Sequence, residues 1–152
     1  AGADTAPTRT NLVAENRATL CLVNRERTKR HLVPLTSRPV LDKAATAFAK
    51  QLVTDRFFDH TAPDGTTMLD RIRRTGYLSG ALHRWWVGEN IAYGTGELAT
   101  PRAIVRAWMN SPGHRANILQ RRFREIGLGV STGSPDGPDG ATYVHDFGRR
   151  IR

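Results

Sequence analysis

Apolar residues recur at helical spacing in the first third of the chain. One row, repeating at intervals of four, consists of Val40, Ala44, Phe48 and Leu52. A second apolar row lies beside it, and two adjacent rows make a stripe wide enough to pack on a core. The pattern therefore predicts a helix from Pro39 to about Phe57, and a weaker pattern predicts an earlier helix over residues 10–29.

Proline preceded by threonine or serine marks the starts of shorter helices. Thr100-Pro101 and Ser111-Pro112 each place a capping residue before a proline that suits the first helical turn. We predict short helices over residues 67–74, 101–110 and 112–119. Residues 77–88 show no periodic pattern and are expected to be irregular, whereas residues 89–94 are expected to be extended.

Strict alternation replaces helical spacing in the last third of the chain. Ile126, Leu128 and Val130 alternate with two glycines, which predicts a strand over residues 125–131. A second strand is predicted over residues 141–147, after a loop rich in glycine, proline and aspartate. Because helices come mainly first and strands last, we expect an α+β fold with a small, mainly antiparallel sheet packed on helices.

The length of the chain fits one domain. A chain of 152 residues can bury a conventional core without metal ions or disulfides. We expect residues 1–9 to form an extension or linker, residues 10–148 the domain and residues 149–152 a basic tail. The small, polar start resembles a mature N-terminus after cleavage, and no apolar run is long enough to span a bilayer. The single cysteine, Cys21, lies among apolar residues and is predicted to be a buried structural thiol.

Arginine dominates the charge of the chain. Lysine and arginine number 23 against 14 acidic residues, a net charge of +9, which favours contact with anionic polymers or membranes. The arginines are spread through all segments and are densest at residues 121–124 and 149–152, so a solvated basic surface is the simpler interpretation. The chain has no zinc-finger spacing, aromatic RNA-binding motif or helix-turn-helix, and no specific nucleic acid is expected as a partner.

Four motifs follow one another along the chain. They are Phe57-Phe58-Asp59-His60, Gly88-Glu89-Asn90-Ile91-Ala92, Trp108–Leu119 and Tyr143–Gly148. In this order they resemble the CAP superfamily of cysteine-rich secretory, antigen 5 and pathogenesis-related proteins, in its bacterial SCP-like form, over about residues 11–148. The resemblance implies an α–β–α sandwich with a large central cleft and a location that is secreted and extracellular or associated with the cell envelope.

The resemblance also implies a set of site residues. In the family the cleft holds two histidines and two acidic residues, and some members bind a divalent metal through the histidines. By motif, the histidines are His60 and His114, and the first acid is Glu89. Ser111 stands where the second acid usually lies, and Asn117 stands where many members have glutamine. The incomplete acidic set argues against an enzyme.

Two neutral imidazoles and a carboxylate can bind zinc, although catalytic zinc sites typically have three protein ligands. We expect a weak, exchangeable metal site at His60 and His114, with Glu89 orienting an imidazole as a hydrogen-bond acceptor. Two alternatives stay open: Glu89 satisfies loop backbone, and His114 bonds locally at a helix start. A Ser111–His114–Glu89 triad is disfavoured, because the Ser111 hydroxyl is expected to cap its helix.

Three functions are compatible with these residues. The leading one is an extracellular, monomeric protein whose cleft binds a small amphipathic ligand, a lipid or a glycan, with or without a divalent metal such as zinc. The second is a metal-dependent hydrolase of proteins or cell wall, with Glu89 as general base. The third is an interaction module that uses the basic surface on anionic polymers or membranes.

Overall fold

Five helices and four strands form the chain between residues 2 and 152, which are the residues that the computed structural model describes. The helices are α1 (Leu12–Thr28), α2 (Pro39–Thr54), α3 (Met68–Arg74), α4 (Pro101–Asn110) and α5 (Pro112–Ile118). The strands are β1 (Thr36–Ser37), β2 (Arg84–Gly94), β3 (Glu125–Ser134) and β4 (Gly137–Ile151). The helices match their predicted spans to within about three residues, and none of those in residues 2–152 is long and apolar enough to cross a membrane.

The four strands form one sheet in the order β1-β3-β4-β2. β1 runs parallel to β3, and the other two pairs are antiparallel. The prediction of an α+β fold with a mainly antiparallel sheet is therefore confirmed. β2 lies at the edge of the sheet and pairs with β4 along its whole length.

β2 begins earlier than the sequence predicted. Its residues 84–88 pair with residues 147–151 of β4, so the expected irregularity of residues 77–88 is wrong over this part. The partner strand is distant in the chain, and local periodicity carries no signal for such a pairing. Residues 149–151, which the sequence set apart as a basic tail, belong to β4.

Helices cover both faces of the sheet, which makes an α–β–α sandwich. On one face α2 packs on β3 and β4, where Ala45, Phe48 and Leu52 meet Val144. On the other face the branched residues of β3 pack with α1, α4 and α5 around the buried Trp108. The two cores lie on opposite sides of the same strands, because strand side chains alternate between faces.

Glycines on β3 set the distance between α2 and the sheet. Gly127 and Gly129 alternate with the branched residues and face α2. A Cβ atom on Gly129 would lie 2.2 Å from the carbonyl group of Ala45, and one on Gly127 would lie 2.4 Å from that of Leu41. The helix backbone therefore rests directly on the strand, closer than any side chain allows.

One prediction for α1 is wrong. α1 turns Ala18, Thr19 and Val23 into the core, and Cys21 is exposed rather than buried. Because a helix turns about 100° per residue, Cys21 lies on the side opposite Thr19 and Val23. Apolar neighbours in sequence therefore do not share its environment.

Candidate functional site

The edge strand β2 carries the centre of the site. Glu89 and Ile91 lie on the face of the sheet that α2 and α3 cover, and Asn90 lies on the face that α5 covers. This follows from the alternation of side chains along a strand. The site consequently wraps around the sheet edge, with His60 next to Glu89 and His114 next to Asn90.

The Glu89 carboxylate is buried and fully paired. Its side chain is 1% exposed. Arg71 Nη2 donates to both carboxylate oxygens, at 3.0 and 2.8 Å, and His60 Nδ1 lies 2.8 Å from Oε1. Because an unpaired buried charge is strongly destabilising, the ion pair with Arg71 is what allows Glu89 to hold His60 from inside the protein.

Arg71 is fixed by further contacts. Its Nη2 also donates to the His60 carbonyl oxygen at 3.0 Å, and its Nη1 donates to that of Thr66 at 3.3 Å. Its guanidinium carbon lies 3.3 Å from the centroid of the Phe48 ring, a cation–π contact. Arg71 could not be recognised from the sequence, because it lies in an arginine-rich helix and belongs to no motif.

A capping box fixes the turn of α3 that carries Arg71. The Thr67 hydroxyl accepts from Asp70 N at 3.3 Å, and the Asp70 carboxylate accepts from Thr67 N at 3.0 Å. These reciprocal bonds satisfy two of the free N–H groups at the helix start. α3 therefore begins at Met68, directly after its capping residue Thr67 and within one residue of the predicted start.

His60 is the exposed member of this chain of contacts. Its side chain is 54% exposed. The hydrogen bond to Glu89 raises the pKa of His60 above its ordinary value, against the opposing effect of burial. In the neutral imidazole, Nδ1 carries the proton that Glu89 accepts, which leaves Nε2 as an acceptor for a ligand.

Two asparagines connect β2 to α5. Asn117 Nδ2 donates to the Glu89 carbonyl oxygen at 3.1 Å and to Asn90 Oδ1 at 2.9 Å. Asn90 Nδ2 in turn donates to the His114 carbonyl oxygen at 3.0 Å. Asn90 thus serves the main chain, whereas the Glu89 side chain pairs with Arg71 and His60 instead. These bonds hold α5 against the edge strand and give His114 a defined place.

Ser111 contacts His114 and not the helix backbone. It is the N-cap residue of α5, but its side chain makes no capping hydrogen bond. Its Oγ lies 2.8 Å from His114 Nδ1, so the expectation that this hydroxyl caps the helix is wrong, because the imidazole competes for it. Burial, and after it the positive charge of His60, lowers the pKa of His114 below its ordinary value.

A buried arginine holds the far end of α5. Arg27 Nη1 donates to the carbonyl oxygens of Ile118 at 2.7 Å and Gln120 at 3.1 Å, and Nη2 donates to that of Phe123 at 3.2 Å. Burial, with the nearby Arg124 charge, lowers the pKa of Arg27 to about 10. Through these bonds α1 anchors the short helix that carries the second histidine.

A second buried acid, which the sequence analysis missed, lies beside Glu89. Asp146 stands opposite Glu89 in the register of β2 and β4, and neither of its side-chain oxygens has a hydrogen-bond partner within residues 2–152. Burial and the Glu89 charge raise the pKa of Asp146 well above its ordinary value, which favours the neutral acid. Only the strand register identifies this neighbour.

The two imidazoles offer a minimal set of metal donors. Among the described residues, no group of three or more His, Cys, Asp or Glu side chains is arranged to hold a metal ion. Glu89 and Ser111 engage Nδ1 of His60 and His114 respectively, which leaves Nε2 of each imidazole as the free nitrogen. A carboxylate on the far nitrogen is the usual second contact of a ligating histidine.

Fold and site together define a class of protein. The sheet lies between two layers of helices, its edge strand carries a buried glutamate, and a histidine lies on either side of that edge. The family described as "Cysteine-rich secretory protein family", or CAP, matches residues 20–145. The chain belongs to this family, and the resemblance drawn from the motifs is confirmed.

Three similar proteins come from bacteria. YkwD of Bacillus subtilis is 40% identical over 114 residues, which cover 74% of this chain and 41% of YkwD. An outer surface protein of Borrelia burgdorferi matches with a TM-score of 0.75 at 24% identity, over 91% of this chain and 94% of its own. An extracellular protein of Bacillus anthracis that contains an SCP domain matches with a TM-score of 0.74 at 25% identity, over 94% of this chain and 44% of its own. The chain therefore spans less than half the length of two of these relatives.

Proposed function

We propose that this chain is an extracellular binding domain whose site at His60 and His114 holds a divalent metal ion such as zinc together with a small amphipathic ligand or glycan. One observation carries the proposal: Arg71 and Glu89 form a buried anchor for a half-exposed imidazole whose Nε2 is free. When bound, the ion supplies a Lewis acid that attracts an oxygen atom of the ligand.

Exposed aromatic rings beside His60 favour an amphipathic ligand. Phe58, two residues before His60, meets Tyr93 of β2 edge to face, with ring centroids 4.9 Å apart. Both rings are exposed. Binding sites combine apolar and aromatic surface with a few polar groups that orient the ligand. A sugar ring or a short apolar chain with a polar head matches this combination of rings and imidazoles.

The relatives support an extracellular location. One is described as an outer surface protein and another as an extracellular protein. The matching family carries the word secretory in its description. A site that is open to solvent through His60 also suits exchange of a ligand with the surrounding medium.

A metal-dependent hydrolase is supported less well. A general base must reach a water molecule or substrate proton with a free lone pair. Both Glu89 oxygens already accept hydrogen bonds from Arg71, and the side chain is almost fully buried. Ser111 contacts His114, but Glu89 contacts the other histidine, so the serine and its imidazole lack an acid. Binding therefore accounts for the geometry better than turnover.

Zinc affinity tests the proposal. We expect isothermal titration at pH 8 to show that His60→Ala and His114→Ala each weaken zinc binding at least about tenfold, because each removes one of two protein ligands. Glu89→Gln should weaken it by about tenfold, because the charged partner of His60 is lost. Affinity should also fall at lower pH, since protons compete for the imidazoles.

His83→Ala is the matched control, because His83 is an exposed histidine outside the site. Its zinc affinity should equal that of the wild type. The same affinity in all four variants would show that zinc binds elsewhere and would remove the basis for a metal at this site.

A further inference from the structure

A basic cavity opens at the end of the sheet where β1 and β3 begin and β4 ends. Its volume is about 460 Å³. Its charged lining consists of Arg38, Arg124, Glu125, Arg149, Arg150 and Arg152. These residues take no part in the contacts of His60 and His114, so the cavity is a separate feature of the fold.

Strand pairing assembles this cavity from parts that are distant in the chain. Arg124 N donates to the Gly148 carbonyl oxygen at 3.1 Å, which places the arginines around residue 124 beside those that end β4. Arg38 N donates to the Ile126 carbonyl oxygen at 2.9 Å, at the end of the parallel pair of β1 and β3. The fold therefore brings the two arginine-dense segments of the sequence together with Arg38.

A buried glutamate organises two of the arginines. Glu125 is 8% exposed. Its carboxylate accepts from Arg38 Nε and, at 2.5 Å, from the Tyr77 hydroxyl, and Arg150 Nε lies 3.7 Å from it. Arg150 also donates to the Tyr77 carbonyl oxygen at 2.9 Å and lies over the Tyr77 ring. Because Glu125 holds Arg38 through Nε, the two terminal nitrogens of that guanidinium remain for a ligand.

The cavity carries more positive charge than the protein compensates. Five arginines and one glutamate are among the residues that line it. Arg124 is held by the carbonyl oxygens of Arg121 and Phe123, whereas the salt bridges of residues 2–152 include neither Arg149 nor Arg152. Concave sites lined by charges of one sign concentrate ions of the opposite sign. An anion is therefore the ligand that this lining favours.

The guanidinium group selects among anions by shape as well as by charge. Its planar fork of N–H donors matches phosphate oxygens in pairs. Several such forks around one cavity suit an anion that presents several phosphate oxygens at once. The volume lies within the range of small-ligand sites, so a compact ligand can be accommodated.

We propose that this cavity is a second binding site, specific for a compact ligand that carries two or more clustered phosphate groups. Arg38, Arg149 and Arg152 bind these phosphates directly, and Glu125 holds Arg38 in place. The site is independent of the function proposed for His60 and His114. The phosphates can belong to a free small molecule or to the headgroups of an anionic lipid, because both present the same oxygens.

Matched charge variants test this site. Arg149→Gln/Arg152→Gln removes two cavity charges, and Arg9→Gln/Arg17→Gln removes two exposed charges at the other end of the chain. Inorganic tripolyphosphate is titrated calorimetrically, and vesicles that contain phosphatidic acid are tested by sedimentation, each at two salt concentrations. We expect the cavity variant to lose at least about tenfold in affinity and the control less than about twofold.

The two probes and the two double variants together distinguish the possible outcomes. A loss confined to the cavity variant with tripolyphosphate supports a free ligand, and a loss confined to it with vesicles alone supports a lipid headgroup. Equal losses in the two double variants would show a general charge effect and overturn the site. Absence of binding by the wild type to both probes would overturn it as well. His60→Ala should leave both affinities unchanged, so failure here is distinguishable from failure at the metal site.

Discussion

Replacing Arg71 by methionine is expected to lower the free energy of unfolding by about 3–5 kcal/mol, because it leaves the buried Glu89 carboxylate without its cation. His60 would remain hydrogen-bonded to that carboxylate, but from the exposed side. Urea denaturation of the two proteins, followed by circular dichroism, measures the difference. The loss should exceed that of any exposed arginine.

Arg74→Met is the matched control, since Arg74 is an exposed residue of the same helix. It should change the free energy of unfolding by less than about 0.5 kcal/mol. The double variant Arg71→Met/Glu89→Gln should recover part of the loss, because it removes the unpaired charge. Equal effects of Arg71→Met and Arg74→Met would contradict the buried ion pair.

Replacing Gly129 by alanine is expected to destabilise the fold by about 3 kcal/mol or to prevent folding. The added Cβ atom would lie 2.2 Å from the carbonyl group of Ala45 in α2. Backbone cannot yield as a flexible side chain can, so α2 must move away from β3 and lose packing along its length. Thermal unfolding monitored by circular dichroism shows the effect as a lower midpoint.

Gly113→Ala is the control for the added methyl group. Gly113 lies in α5, and a Cβ atom added there would meet no other part of the fold within 4 Å. Alanine is the better helix former, so the midpoint should stay the same or rise slightly. If Gly129→Ala proved as harmless as Gly113→Ala, the close contact of α2 with the sheet would not exist in solution.

The sequence predicted best those elements whose signals are local. α4 begins and ends where the Thr100-Pro101 pair and the apolar spacing place it, because capping and periodicity act within a few residues. The same holds for α2, whose apolar rows face the sheet. The alternation of glycine and branched residues over residues 125–131 predicted β3, and the structure adds the reason for the glycines.

Features that depend on distant partners could not be predicted locally. The early start of β2 depends on its pairing with the end of β4. Cys21 and Ser111 were misjudged because their sequence neighbours suggested a core position and a cap, whereas their environments are set by the helix face and by His114.

In the candidate site, too, local motifs were informative and contacts between distant residues were not predictable. Family motifs predicted His60, Glu89 and His114 as site residues but not the contacts between them. In the structure the Glu89 side chain contacts His60 directly. The link from β2 to His114 runs instead through Asn90, which donates to the His114 carbonyl oxygen. Arg71, which makes the buried glutamate possible, has no motif, because its role arises from the packing of α3 on β2.

The raised pKa of His60 gives the sign of one pH effect. Because the folded-state pKa lies above that of the unfolded chain, the contact with Glu89 stabilises fully below the unfolded-state pKa. The stabilisation is lost as the pH rises through the folded-state pKa. The pKa of His114 is lowered in the folded state, so its effect on stability has the opposite sign. The neutral imidazole favours the folded state at higher pH, and this contribution is lost as the pH falls.

Titration of the histidine ring protons by nuclear magnetic resonance, in the metal-free protein, is the most direct test of two linked imidazoles around a buried glutamate. We expect a pKa for His60 above the ordinary 6.5 and one for His114 below it. Glu89→Gln should lower the pKa of His60, and His60→Ala should raise that of His114. Independent titration of both rings at the ordinary value, unchanged in either variant, would contradict it.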